Sequence, residues 1–102
     1  MKAHFVEVCV KQIPVFTTGF YTTPKPAVDE ARYNRDEIQK HILGALVPVS
    51  APIGEWFDGW FDNAVAEFEA NDYKPDVHEA DGEDVYIGLF GEDVHQDFVP
   101  PK

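Results

Sequence analysis

The sequence predicts an α+β fold: a small single domain with a mostly antiparallel sheet, made of N-terminal strands and a C-terminal hairpin, and two helices packed on it. Three observations predict it. Val6, Val8 and Val10 alternate with Phe5, Glu7 and Cys9 in the period of two that marks a strand. Apolar residues then recur at helical spacing between residues 35 and 70, and strand-like runs return after Pro75. A chain of 102 residues forms one domain, here residues 1–102, and its 44% hydrophobic content supplies a core and argues against wholesale disorder.

Residues 3–10 form the first strand. Residues 13–22 are rich in β-branched and aromatic side chains, but Pro14 lacks a ladder donor and Gly19 suggests a turn, which predicts an edge strand or broken hairpin. Thr23-Pro24-Lys25-Pro26 stops the sheet and leads into a short helical turn at 27–33. Asn34 and Glu37 resemble a capping pair for a helix over about 35–46, which buries Ile38, Ile42, Ala45 and Leu46 and ends at Pro48. Ser50 caps a second helix that begins near Pro52, reaches Ala70 and is ended by Asn71 and Asp72. Asp81-Gly82 signals a tight turn, residues 85–90 are apolar on both faces, and Gly91-Glu92-Asp93 suggests a second turn before a strand over 94–99. Pro100-Pro101-Lys102 is expected to fray.

The charge is segregated. Eight Lys and Arg face 19 Asp and Glu, for a net charge of −11. Residues 1–40 are nearly balanced, whereas residues 41–102 carry only Lys74 and Lys102 against fourteen carboxylates. Self-repulsion of that size opposes compaction, and halophilic adaptation would spread acidity along the whole chain. A charge this negative opposes direct binding to nucleic acid or to an anionic membrane. No apolar run is long enough for a membrane span or a signal peptide, and one cysteine, Cys9, excludes an internal disulfide framework. These features predict a cytoplasmic protein.

The second helix carries the sharpest feature. At 100° per residue, Glu55, Asp58, Asp62 and Glu69 fall within an arc of roughly 60° and form one acidic ridge. Ile53, Trp56, Phe57, Trp60, Phe61, Ala64 and Phe68 fall on the opposite side, which directs the ridge to solvent. With a rise of about 1.5 Å per residue, Asp58 and Asp62 lie about 6 Å apart along the axis, comparable to neighbouring phosphates. Most such runs are only a solvated helix face, but like charges at this spacing are mildly destabilising and no Lys or Arg within the helix offsets them. Glu79, Asp81, Glu83 and Asp84 add an acidic turn downstream. Trp56 and Trp60 are core residues by general aromatic burial; the alternative is that they anchor a target or a second copy in a homodimer.

Catalytic and metal-binding readings are weaker. Setting Asp81-Gly82 at positions five and six of a calcium loop puts Val77 and Gly88 where carboxylates are required, so no EF-hand is present and no metal is expected. Ser50, the only serine, reads as a cap; Cys9 reads as a buried strand residue; His41 pairs simply with Glu37 one turn earlier. His4, His78 and His95 have no sequence-close triad or zinc partners, and no glycine loop cradles a phosphate. Neither enzymatic activity nor a cofactor is expected.

Gly54-Glu55-Trp56-Phe57-Asp58 is similar to a Gly-x-Trp-Phe/Ile-Asp element of DNA-mimicking antirestriction proteins, over those five residues. The resemblance implies mimicry of nucleic acid in phage or mobile-element counter-defence, of antirestriction or anti-CRISPR type. The expected partner is therefore a basic nucleic-acid-binding protein, such as a nuclease, CRISPR effector or restriction enzyme. An immunity-type or assembly protein with one specific basic partner is the second reading, and a small enzyme the third.

Overall fold

The computed structural model describes residues 2–45, 53–80 and 84–93. Its elements are β1 (Lys2–Val10), β2 (Ile13–Thr17), α1 (Pro24–Tyr33), α2 (Arg35–Ala45), α3 (Ile53–Ala70), β3 (Asp76–Glu79) and β4 (Val85–Asp93). The strands form one antiparallel sheet in the order β2-β1-β4-β3. This is the expected α+β architecture.

Valine alternation places β1 at the centre, paired with β4 along its whole length from Lys2↔Asp93 to Val10↔Val85. Val6, Val8 and Val10 share a face with Val85, Ile87 and Leu89, and the three helices bury that face with Val28, Ile38, Ile42, Phe57, Phe61 and Phe68. Removing this apolar surface from water, at roughly 25 cal/mol per Å², is the main term that holds the two layers together. Phe57, Phe61 and Phe68 repeat at four- and seven-residue intervals, so one stripe of α3 meets the sheet.

β1 and β2 are joined by Lys11 and Gln12, with φ values of 50° and 68°. A two-residue turn with both φ positive matches the twist of a hairpin, although Asn-Gly adopts it with less strain. β2 lies at one edge of the sheet, carries Pro14, and has a register shift opposite Val8 and Cys9. β3, only four residues long, forms the other edge.

Beyond β2, residues 18–21 continue along the edge of β1. Tyr21 and His4 exchange backbone hydrogen bonds of 2.9 and 2.7 Å, and the Thr18 amide donates to the Val6 carbonyl at 2.9 Å. The Thr18 hydroxyl accepts the Val6 amide at 2.9 Å, which satisfies a buried donor where the ladder breaks. Glu30 of α1 accepts the Gly19 amide and the Tyr21 hydroxyl and fastens this strap to the helix layer.

Several expectations are corrected. Residues 24–33 are a complete ten-residue helix rather than a short turn at 27–33, because Pro24 and Pro26 fall in the first turn, where amides have no intrahelical acceptor. Among the described residues there are therefore three helices rather than two. Gly91-Glu92-Asp93 is not a turn but the end of β4, held straight by pairing with Lys2, Ala3 and His4. Ala45 is exposed. The expectations for Leu46, Pro48, Ser50, Pro52, Asp81, Gly82, Glu83 and residues 94–102 lie outside the described residues.

Candidate protein-binding surface

The helical arithmetic places the ridge correctly: Glu55, Asp58, Asp62 and Glu69 are all exposed on α3. Helix packing then brings α1 and α2 alongside. Arg35, the first residue of α2, reaches Asp58 with Nη2 at 2.8 Å from Oδ1 and Asp62 with Nε at 3.3 Å from Oδ1. Arg32 of α1 meets Glu69 at 2.7 Å. Only Glu55 of the four has no Lys or Arg partner among the described residues.

Each arginine has a local reason for its position. Glu69 lies in the last turn of α3, where the negative end of the helix dipole opposes a carboxylate, and Arg32 offsets it. The Arg35 guanidinium lies 5.6 and 5.7 Å from the ring centres of Phe57 and Phe61 and so covers the edge of the aromatic core. These pairs cancel about half of the ridge's formal charge. They are weak bonds, however: Asp58 and Asp62 remain 70% and 67% exposed, and exposed pairs contribute about 0–1 kcal/mol each. Cations of a partner could exchange for Arg35 at little cost.

Other carboxylates are left unmatched. Glu67, Asp72, Glu79, Asp84, Glu92 and Asp93 form no ion pair with Lys or Arg among the described residues. Of the predicted acidic turn, Glu79 at the end of β3 and Asp84 before β4 are exposed, whereas Asp81 and Glu83 lie outside the described residues.

Trp56 and Trp60 are half-buried against the core, with their rings 5.5 Å apart and edge to face. The Trp60 Nε1–H donates to the His78 carbonyl at 3.1 Å, tying α3 to β3. Its polar atom is already committed inside the fold.

The sheet face opposite the helices is the surface that sequence reasoning missed. Residues 85–90 read as a strand apolar on both sides, and all three described helices pack on one of them. The outward positions of β1 and β4 carry Phe5, Glu7 and Cys9 and Tyr86, Gly88 and Phe90. Phe5 lies 5.0 Å from Phe20 and 5.5 Å from Phe90 between ring centres. The outward alternation of Phe5 with Glu7 was the available signal.

On that face the buried Cys9 thiol donates to Glu7 Oε1 at 3.4 Å. Burial pushes the Cys9 thiol up, and hydrogen bonding to Glu7 and its negative charge push the same way against an opposing Tyr86 hydrogen bond. The Tyr86 phenol is pushed up to about 12, chiefly by its hydrogen bond with Cys9, then by burial and by charge on Cys9 and Glu7. The fold favours the protonated phenol, so this contribution is complete below the ordinary value of 10.0 and is lost as pH rises through about 12. A spectrophotometric titration is expected to show one tyrosine ionising near pH 12, returning toward 10 in Cys9→Ala; an unchanged titration in that variant would assign the shift elsewhere.

His78 Nε2 lies 3.1 Å from Asp76 Oδ2, with the Phe68 ring edge-on at 5.3 Å. Among the described residues, no three His, Cys, Asp or Glu side chains are grouped to hold a metal ion. Among the described residues, no helix is long and apolar enough to cross a membrane. Comparison with protein-family models, curated proteins and solved structures gives no match.

Proposed function

We propose that this chain is an acidic inhibitor that occupies the basic, nucleic-acid-binding surface of a target protein. The observation that carries the proposal is the charge of the α3–β4 half: among its described residues Lys74 is the only Lys or Arg, while exposed carboxylates run from Glu55 to Asp93. Such a surface accelerates approach to a basic groove and penalises partners of like charge. The resemblance of residues 54–58 to an antirestriction element fits a counter-defence role of antirestriction or anti-CRISPR type.

The arginine pairs alter the form of this reading. A bare ladder of four phosphate-like charges is not what α3 presents, because Arg32 and Arg35 occupy three of the four carboxylates. Recognition by shape and apolar anchors, as in an immunity or assembly partner, gains weight from the same observation and from the aromatic sheet face.

The two forms separate in one experiment. Capture from bacterial lysates, with and without phage infection, is run across a salt series with wild type and an Asp58→Asn/Asp62→Asn variant that retains Arg35. Mimicry predicts nucleic-acid-binding targets, competition by DNA or RNA, steep loss with salt, and binding about tenfold weaker in the variant. A salt-tolerant partner that binds both proteins equally would reject mimicry and support a single-partner role.

A further inference from the structure

We propose that Asp58 and Asp62 form a seat for an arginine of the partner, and that Arg35 fills this seat in the free protein as an internal competitor. The inference rests on the reading that the chain binds a basic protein, and adds the chemistry of the contact and the device that restrains it. The two carboxylates stand about one turn apart on α3 and are 70% and 67% exposed. The Arg35 guanidinium spans them, with Nη2 at 2.8 Å from Asp58 Oδ1 and Nε at 3.3 Å from Asp62 Oδ1.

Arg35 does not suit its own helix. It is the first residue of α2, where the positive end of the helix dipole disfavours a cation. Nor does α2 depend on it for its position: Ile38 and Ile42 are fully buried in the core, and the Asn34 carbonyl accepts the Ile38 amide at 2.9 Å. What Arg35 matches is the seat. Two carboxylates four residues apart, with the Phe57 and Phe61 ring centres at 5.6 and 5.7 Å, suit a planar fork that donates in two directions and lies against aromatic rings. A lysine ammonium, a compact point charge, reproduces neither the fork nor the planar stacking.

The seat is open on the side that Arg35 does not use. At 100° per residue, Gly59 lies about 60° beyond Asp62, away from Phe57 and Phe61. A Cβ at Gly59 would meet nothing within 4 Å, so no neighbour among the described residues covers this flank. Glycine inside a helix is unfavourable and nothing in the described fold requires one here, which leaves room for an incoming side chain. A partner guanidinium that enters there takes over bonds that are individually weak because they are exposed, and the Arg35 side chain returns to water. Exchange of like for like lowers affinity but favours a partner that presents arginine over one that presents charge alone.

The test titrates isotope-labelled full-length protein with hexa-arginine and hexa-lysine peptides, for wild type, Arg35→Gln, Arg35→Lys and Lys40→Gln. Amide shifts are expected at Asp58, Gly59 and Asp62, and in wild type the Arg35 Nε–H signal should move as hexa-arginine binds. Arg35→Gln should bind hexa-arginine about tenfold more tightly than wild type, and Arg35→Lys, whose net charge is unchanged, about threefold. Hexa-lysine should gain less than about twofold in either variant. Lys40, 73% exposed on α2, gives a variant with the same charge change as Arg35→Gln and an intact seat, and it should leave both peptides within about twofold of wild type. Thermal unfolding establishes that each variant is folded, and Arg35→Lys keeps the comparison should Arg35→Gln not fold. Equal gains for the two peptides, or the same gain in Lys40→Gln, would show that charge alone suffices and overturn the proposal while leaving the acidic-inhibitor reading intact. Unchanged or weaker binding in both Arg35 variants would make Arg35 a structural clip only and overturn it as well. A lysate capture that yields no basic target would overturn the broader reading and this proposal with it.

Discussion

Phe57→Ala is expected to lower the unfolding free energy by about 3–5 kcal/mol, the largest effect of any single substitution considered. Phe57 is fully buried, stacked 5.5 Å from Phe61 and edge to face with Trp60 at 5.8 Å. Its ring also carries the Arg35 guanidinium, so truncation removes a support of the α2–α3 contact as well as core volume. Domains of this size commonly have about 5–15 kcal/mol in total, so the variant approaches the limit of folding. Urea unfolding measures the loss, and Phe57→Leu, which keeps more of the volume, should lose much less. A loss below about 1 kcal/mol in Phe57→Ala would mean that the stripe on α3 is not the centre of the core.

Thr18→Val is expected to cost about 1–3 kcal/mol although it preserves side-chain shape. Thr18 is the single buried polar residue among the described residues, at 4% exposure. Its hydroxyl accepts the Val6 amide at 2.9 Å and donates to the Gly19 carbonyl at 3.0 Å. Valine would leave the Val6 donor buried and unpaired, and that desolvation penalty exceeds the gain from one added methyl group. Hydrogen exchange at the Val6 amide gives a local readout alongside urea unfolding. Wild-type stability together with an unchanged Val6 exchange rate would show that the hydroxyl is dispensable.

Local periodicity made β1 and α3 legible, including the burial of Val6, Val8, Val10, Phe57, Phe61 and Phe68. It failed where a residue's meaning depends on a few positions of register. Pro24 and Pro26 read as breakers, yet in a first turn they break nothing. Gly91 read as a turn, yet nine consecutive pairings with β1 keep it in β4. The ridge shows the same division: its alignment follows from helix geometry, but its partners do not. Arg35 and Arg32 lie 23 and 37 residues before Asp58 and Glu69, beyond any rule based on neighbouring helical turns.

The two edge strands have a consequence for the chain's behaviour in bulk. An exposed edge is a template on which another copy can extend the sheet, and fibril growth begins from such pairing. Here β2 offers Pro14, which has no amide to donate, and an irregular register, while β3 offers four residues that include Asp76 and Glu79. With a net charge of −11 added to these edges, the protein should accumulate to high concentration without aggregating. If the proposed inhibitor role holds, that tolerance sets how many copies stay dispersed to meet a target.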